Sequence, residues 1–270
     1  MMIGGKQWFG RLLLTFFCLT CLTGGLLPDV RAGEGQAAGV LFREEFTDLG
    51  QWEPLFFPKI KAHSEYRVEL AAEGSVLRMA SHASASALLH KTEFDVYAFP
   101  WVRWRWRVDK VYARGDATRK RGDDYPARIY VSFKFDPDQA GAWEKLKYDA
   151  VRLVYGAYPP HSSLNYVWAN RPWAKAILPN PYTDRAMMIP LQVGTDQLGV
   201  WQEQAVNIVA DYQRAFGAQP PTRARIAVMN DADDTGDSSV SWLDFIEVSA
   251  LAPATVDRQG AERHGGNGER

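Results

Sequence analysis

The stretch Trp101–Asp109, WVRWRWRVD, decides the fold because apolar and basic residues alternate in it without a break. This spacing of two residues predicts a β-strand with one buried face and one polar face. Neighbouring like charges repel unless carboxylates or an anion lie between them, so the arginine row needs a counter-charge. The apolar side carries Val102, Trp104, Trp106 and Val108, and the polar side carries Arg103, Arg105 and Arg107.

The rest of the domain shows the same β signals, and they predict a mainly β fold. Two helices are predicted, Asp138–Val154 and Gln204–Phe216, the second ending at Gly217. The strands and turns favour a two-sheet sandwich of jelly-roll or concanavalin-like type with two short helical insertions. The predicted strands are Val40–Phe46, Tyr66–Leu70, Val76–Ser81, Trp101–Asp109, Ala127–Asp136, Leu164–Asn170, Ala186–Val193, Arg223–Met229 and Ser238–Val248.

The first residues resemble a signal peptide. Lys6 and Arg11 precede the apolar run Leu12–Leu27, and Val30–Ala32 offers small residues for cleavage after Ala32. A membrane anchor would need about 20 uninterrupted apolar residues. We therefore expect a periplasmic or secreted protein with no membrane span after cleavage.

The sequence divides into four parts. Residues 1–32 are the predicted signal peptide, 33–39 a short leader, and 40–250 a single β-sandwich domain. Residues 251–270 are rich in Gly, Arg and Glu without apolar periodicity, which predicts a disordered tail.

Cysteine content and charge exclude several classes of function. Cys18 and Cys21 both lie in the predicted signal peptide, so the mature chain would have no disulfide, thiol nucleophile or cysteine metal site. Removal of residues 1–32 leaves 28 basic and 31 acidic residues, a net charge of −3. That balance argues against a nucleic-acid partner.

The segment Ala127–Asp136 alternates like Trp101–Asp109, and we expect the two strands to be neighbours in one sheet. Their polar sides would then merge into one Arg/Tyr-rich binding face. The alternatives are structural pairing of the arginines with carboxylates, or a plain solvent-exposed face. In the binding interpretation Arg103, Arg105 and Arg128 clamp an oxyanion, Tyr130 adds a hydroxyl, and Tyr166 or Trp168 supplies a stacking surface.

Asp123 and Asp124 stand just before this second strand. They could act as a general acid/base pair, as cation ligands, or as salt-bridge anchors. With Tyr130 and Lys134 as proton carriers, they are the candidate catalytic residues of a polysaccharide-active lyase or glycoside hydrolase.

A second acidic segment, Asp231–Asp237, resembles the start of a calcium loop. Asp231, Asp233 and Asp234 would be the ligands, but the glutamate that should close such a loop is replaced by Trp242. The alternative is a turn whose side chains cap backbone amides. Calcium apart, no cofactor is predicted.

Several segments resemble one family of exported bacterial proteins, the domain of unknown function 3047. They are WRWRVD, GDDYPARIYVSF, LNYVWAN, NIVADYQRAFGAQPP and IAVMNDADDTGDSSVSWLDFIEV, and the resemblance runs from about Phe46 to Val248. Asn230 and Ser238–Ser241 depart from the family's pattern. The resemblance implies a lectin- or glucanase-like sandwich and export, but no activity.

We therefore expect a non-catalytic binding domain that recognises a glycan or another anionic, hydroxyl-rich ligand. The first alternative is the polysaccharide-active enzyme described above. The second is a structural envelope protein in which Arg–Asp pairs only stabilise the sandwich.

Overall fold

The computed structural model describes residues 39–253 except Glu73, Glu144, Lys147 and residues 150–157. The predicted signal peptide and the tail from Ala254 onward lie outside this described part. Among the described residues, no helix has the length and apolar character needed to cross a membrane.

The described residues form fourteen β-strands and one complete α-helix, α1 (Ile208–Phe216). The strands are β1 (Val40–Glu44), β2 (Trp52–Leu55), β3 (Glu65–Ala71), β4 (Gly74–His82), β5 (Ala87–His90), β6 (Phe94–Asp95), β7 (Trp101–Val108), β8 (Arg128–Phe133), β9 (Ser162–Ala169), β10 (Leu178–Asn180), β11 (Thr183–Val193), β12 (Gln202–Asn207), β13 (Arg223–Met229) and β14 (Ser238–Ser249).

The strands build two sheets, which we call sheet A and sheet B. Sheet A has the order β12-β7-β14-β4-β3, with β1 also paired to β14. Sheet B has the order β10-β11-β9-β8-β13-β5-β2, with β6 also paired to β13. The strand pairs are antiparallel except for β9 and β11, which are parallel. The predicted mainly β, two-sheet sandwich is confirmed.

The core lies between the sheets and contains the apolar side of the WVRWRWRVD strand. Trp104 and Trp106 on β7 are fully buried. Across the sandwich, the Trp104 ring centroid lies 5.5 Å from that of Tyr166, and the Trp106 centroid lies 5.9 Å from that of Trp168. Both partners belong to β9, so β7 of sheet A packs on β9 of sheet B.

The prediction that β7 and β8 are neighbours in one sheet is wrong. Strand β7 pairs with β12 and β14, whereas β8 pairs with β9 and β13. Both strands turn their apolar sides toward the shared core, so their polar sides lie on opposite outer faces of the sandwich. Alternation fixes which side of a strand is buried, but it does not say which strand lies beside it.

The helices differ in part from the prediction. Helix α1 begins at Ile208, not Gln204, because the Asn207 side chain accepts a hydrogen bond from the Ala210 amide at 3.0 Å. The preceding residues form β12, an edge strand paired to β7. The helix ends at Gly217 as predicted, with a left-handed φ of 67°. In the predicted helix Asp138–Val154, the described part of residues 142–149 is helical. Residues 138–140 form a turn and a bend, so the helix does not begin at Asp138 as predicted, and residues 150–154 lie outside the described residues.

Candidate functional site

Arg103 and Arg105 lie on the outer face of sheet A, where internal carboxylates neutralise them. Arg103 contacts Glu203 and Glu247, each at 3.1 Å, and Arg105 contacts Asp244 at 2.9 Å. Burial favours the protonated form of Glu247, but hydrogen bonds from arginines lower its pKa below the ordinary value. Arg103 and Arg105, which were predicted to bind a ligand, therefore form ion pairs with carboxylates of the same chain, as the alternative interpretation expected.

Arg128 is buried at the start of β8, with only 2% of its surface exposed. Its guanidinium contacts both carboxylate oxygens of Asp231, with an Nε–Oδ1 distance of 2.7 Å. It also contacts the backbone oxygen of Asp123 and lies 4.5 Å from the Tyr125 ring centroid. Burial favours loss of the Arg128 proton, but the nearby carboxylates raise its pKa above the ordinary value.

Asp123 and Asp124 are buried beside Arg128, and their oxygens are used within the fold. Asp123 accepts a hydrogen bond from Asn180 at 2.5 Å, and Asp124 accepts from the Asp234 and Thr235 amides. We call Arg128, Asp123, Asp124 and Asp231 the Arg128 cluster. It joins the loop before β8 to the turn before β14.

The local backbone that presents Asp123 depends on a glycine. Residues Lys120–Gly122 form a 3₁₀ turn, and the Gly122 carbonyl accepts a hydrogen bond from the Asp116 amide at 2.8 Å. A Cβ at Gly122 would lie 2.5 Å from the Asp116 nitrogen, so only glycine permits this approach.

The predicted calcium ligands are only partly brought together. Carboxylate oxygens of Asp124, Asp231 and Asp233 lie within 4.8 Å of one another. Asp231, however, already has Arg128 as its counter-charge. Asp234 instead accepts from the Tyr182 hydroxyl at 2.9 Å. Calcium binding stays a prediction, while the side chain–backbone contacts expected of a capped turn are present.

Burial raises the pKa of Asp234 to about 6, and the charges of Asp124 and Asp233 act in the same direction. The hydrogen bond from Tyr182 opposes this shift. Asp234 thus differs from the carboxylates that contact arginine, because its own carboxylate makes no ion pair within the described residues.

Tyr166 and Trp168 belong to the core and have no exposed surface. The Tyr166 hydroxyl donates to Asp211 at 2.8 Å, and the Trp168 indole donates to the Gly194 carbonyl at 3.2 Å. Their rings pack on β7 and present no stacking surface to solvent.

The outer face of sheet B carries a groove of about 600 Å³, which we call the sheet-B groove. Apolar and aromatic side chains form most of its wall, and polar groups gather toward one end. It is lined by Leu55, Phe57, Ala87, Leu89, Glu93, Tyr130, Ser132, Phe133, Lys134, Phe135, Tyr158, Pro159, Pro160, Ser163, Arg225, Ala227 and Met229.

Strand register explains how these residues reach one surface. Arg225, Ser132 and Ser163 occupy paired positions on β13, β8 and β9. Two residues along, Ala227 and Tyr130 are paired in the same way. Because alternate residues share a face, all five lie on the outer side of sheet B.

Several polar groups on this surface lack a strong hydrogen-bond partner. The Ser132 and Ser163 hydroxyls make no side-chain hydrogen bond within the described residues. The Tyr130 hydroxyl lies 3.6 Å from the Met229 sulfur, a weak acceptor. The surface therefore offers hydrogen bonds that the fold does not use.

At the charged end of the groove, the basic side chains form ion pairs with glutamates. Lys134 and Arg223 contact Glu93 at 2.8 and 3.0 Å, and Arg225 contacts Glu53 at 2.6 Å. Burial would raise the pKa of Glu93, but the hydrogen bonds from Lys134 and Arg223 lower it overall.

Of the residues predicted for a site, only Tyr130 and Lys134 line the sheet-B groove. Arg103 and Arg105 lie on the opposite face of the sandwich, and Asp123, Asp124 and Arg128 do not line the groove. Sequence reasoning missed Ser163 and Arg225. Arg225 stands at an outward position of the predicted strand Arg223–Met229, whereas Ser163 lies just before the predicted strand Leu164–Asn170. Only the strand order brings both residues beside Tyr130.

Fold and site together define a β-sandwich domain with a groove on one sheet, an arrangement that suits ligand binding. The chain belongs to the family described as "Protein of unknown function (DUF3047)", whose model matches residues 50–247. This confirms the resemblance found in the sequence. No curated protein matches the chain.

Solved structures with distant similarity include carbohydrate-binding and glycan-active domains. The family 11 carbohydrate-binding module from Clostridium thermocellum, in complex with a β-1,3-1,4-mixed-linked tetrasaccharide, has 9% identity and a TM-score of 0.38, covering 78% of this chain and 94% of that one. The xyloglucanase domain of NopAA from Sinorhizobium fredii, in complex with cellobiose, has 6% identity and a TM-score of 0.38, covering 73% and 92%.

A third similar structure is the K1 cleaved adhesin domain of Lys-gingipain from Porphyromonas gingivalis W83. It has 10% identity and a TM-score of 0.34, covering 78% of this chain and 98% of that one. At TM-scores below 0.5, these similarities carry no conclusion about what this chain binds.

Proposed function

We propose that this protein is a binding domain that holds a sugar or short glycan in the sheet-B groove. The observation that carries the proposal is the pairing of an apolar, partly aromatic groove with hydroxyls that make no hydrogen bond in the described structure. Ser132 and Ser163 provide these hydroxyls, and Tyr130 provides both a ring and a weakly bonded hydroxyl.

A sugar fits this chemistry because its ring has C–H faces and a surrounding belt of hydroxyls. The C–H faces pack on aromatic and aliphatic side chains such as Tyr130 and Leu89. The hydroxyls replace water at Ser132, Ser163 and the charged groups of Glu93 and Arg225. A purely apolar ligand would leave those polar groups without partners, which costs binding free energy.

A glycan array with the purified protein, followed by titration calorimetry on any retained glycan, tests the proposal. Ser163→Leu fills the groove and should abolish binding. Tyr130→Phe removes one hydroxyl and should weaken binding by about threefold to tenfold. Tyr97→Phe is the matched control and should leave binding unchanged, because Tyr97 bonds the Pro220 carbonyl outside the groove.

Two results would contradict the proposal. One is that no glycan is retained on the array. The other is that Ser163→Leu, with an unchanged melting temperature, binds the retained glycan as tightly as the parent protein. Incubation of the retained glycan should produce no new reducing ends, since their appearance would favour the polysaccharide-active enzyme instead.

A further inference from the structure

Arg107, the third arginine of β7, differs from Arg103 and Arg105 because no carboxylate neutralises it. Within the described residues it makes no ion pair and no hydrogen bond, and its Nε is buried without a partner. Its guanidinium carbon lies 4.7 Å from the Trp201 ring centroid and 4.5 Å from the Trp242 centroid. Arg107 is thus an unneutralised cation held between two indole rings.

Arg107 also belongs to a row of cations across sheet A. Trp242 on β14 pairs with Arg107 on one side and with Arg78 on the other, and Arg78 pairs with Arg67 on β3. We call Arg107, Trp242, Arg78 and Arg67 the Arg107 row. In the described part of the chain, one carboxylate is within ion-pair distance of this row, that of Glu69 at 3.7 Å from the Arg78 Nε.

The row therefore carries an uncompensated positive charge. Arg78 and Arg67 stand directly opposite each other on neighbouring strands, an arrangement that is destabilising for like charges. Elsewhere on the same face, Arg103 and Arg105 each have at least one carboxylate in contact. An anion from outside the chain would supply the charge that is missing here.

The chemistry of the row identifies the kind of anion. A guanidinium presents parallel N–H donors that match two oxygens of a carboxylate or phosphate group. The flanking rings of Trp201 and Trp242 restrict the Arg107 side chain, which lowers the entropy lost on binding. At a strand spacing of about 4.8 Å, Arg78 lies about 10 Å from Arg107 and Arg67 about 5 Å farther, so a ligand with several oxyanions could span the row.

We infer that the Arg107 row binds oxyanion groups, carboxylate or phosphate, of a ligand that lies across the outer face of sheet A. This site is distinct from the sheet-B groove, which opens on the opposite face of the sandwich. It does not depend on the proposed sugar binding.

Titration calorimetry at low ionic strength tests the inference with three probes. These are trigalacturonate, which carries carboxylates, tripolyphosphate, which carries phosphates, and the uncharged cellotriose. We expect at least one anionic probe to bind at the Arg107 row and cellotriose not to bind there. The tighter anionic probe identifies the oxyanion. Binding should weaken with added salt, because the contact is between charges near the surface.

Two lysine variants locate the site. Arg107→Lys keeps the charge but loses the paired donors, and should weaken anion binding about tenfold. Arg105→Lys is the matched control, on the same strand and also over Trp201 at 5.2 Å, and should change binding by less than about twofold because Asp244 already neutralises Arg105. Ser163→Leu in the sheet-B groove should have no effect on the anionic probes.

The inference is overturned if neither anionic probe binds, or if Arg107→Lys binds them as tightly as the parent protein. It is also overturned if Arg105→Lys and Arg107→Lys weaken binding equally. Melting temperatures of the two variants within about 2 °C of the parent exclude unfolding as the cause of any loss.

Discussion

Arg103, Arg105 and Arg107 stand at equivalent alternate positions of one strand, yet their surroundings differ. The first two contact carboxylates from the neighbouring strands β12 and β14. The third has indole rings where those carboxylates would stand. At the scale of single residues, the neighbouring strands therefore determine whether an arginine stabilises the fold or remains available to a ligand.

The buried ion pair between Arg128 and Asp231 should contribute strongly to stability. Arg128→Ala leaves Asp231 buried without its counter-charge and should lower the free energy of unfolding by about 3 to 5 kcal/mol. Replacing both partners, as in Arg128→Met with Asp231→Leu, should recover most of this loss. Urea unfolding measures both effects.

The matched control for Arg128 is Arg119→Ala. The Arg119 side chain is 79% exposed and lies 3.6 Å from Asp116, so its removal should cost less than about 0.5 kcal/mol. If Arg128→Ala and Arg119→Ala lowered the free energy of unfolding by similar amounts, the prediction that the Arg128 cluster stabilises the fold would be contradicted.

The buried imidazole of His90 should make the stability of the fold depend on pH. Burial lowers the pKa of His90 to about 4, and Arg225 adds to the shift. Between the unfolded pKa of about 6.5 and a folded pKa near 4, the unfolded state binds more protons. The free energy of unfolding should therefore fall by on the order of 2 to 3 kcal/mol as the pH decreases from 6.5 to 4. Below pH 4, His90 should cause no further change in the free energy of unfolding.

His90→Asn tests this effect, because its side-chain oxygen can still accept from the Thr92 amide as the His90 Nδ1 does at 3.2 Å. The variant loses ring stacking with Phe42 and should be less stable at pH 7.5. Its stability should also depend less on pH between 6.5 and 4. Urea unfolding of both proteins at pH 7.5 and 4.5 measures the difference, and an equal drop in both would contradict the prediction.

Strands with regular alternation were predictable, whereas several short strands were not. Strand β7 and the inward positions of β8 and β9 follow from their sequence pattern. Strands β2, β5, β6 and β10 were missed because they have two to four residues, too few for a clear alternation. Strand β12 was missed because most of it falls in the predicted helix Gln204–Phe216. The groove could not be predicted, because its residues come from strands whose order in sheet B the pattern does not contain.

Helix α1 gives a prediction at the element scale. Asn207→Ala removes the hydrogen bond to the Ala210 amide and should cost about 1 kcal/mol of stability. Asn207→Asp keeps an acceptor at the same place and should cost little. Thermal unfolding of both variants tests the assignment of Asn207 as the cap, which would be contradicted if they lost stability equally.

At the scale of the whole described domain, charged groups occupy both outer faces of the sandwich as well as the buried Arg128 cluster. The sheet-B groove and the Arg107 row lie back to back, with the tryptophan-rich core of β7 and β9 between them. A ligand at one site therefore does not obstruct the other, and the domain has room for two ligands at once.

We propose that the protein is exported and that residues 1–32 are removed during export. This proposal rests on the charge and the apolar pattern of the first residues. Expression with this segment in a Gram-negative host should give a periplasmic product that begins at Gly33. Fractionation followed by mass measurement of the intact protein tests this. Recovery of an unprocessed chain in the cytoplasm would contradict it.

The position of β14 in sheet A constrains when the molecule can fold. This strand, the last one in the described part of the chain, lies between β7 and β4 and also pairs with β1, with Arg43 and Glu247 in contact although they are 204 positions apart in the sequence. Sheet A therefore cannot close until β14 (Ser238–Ser249) has been synthesised. Such non-local pairing slows folding and leaves apolar strand faces exposed to aggregation meanwhile. A newly made chain can remain unfolded until β14 emerges, and an unfolded polypeptide is the state that can pass through a narrow channel.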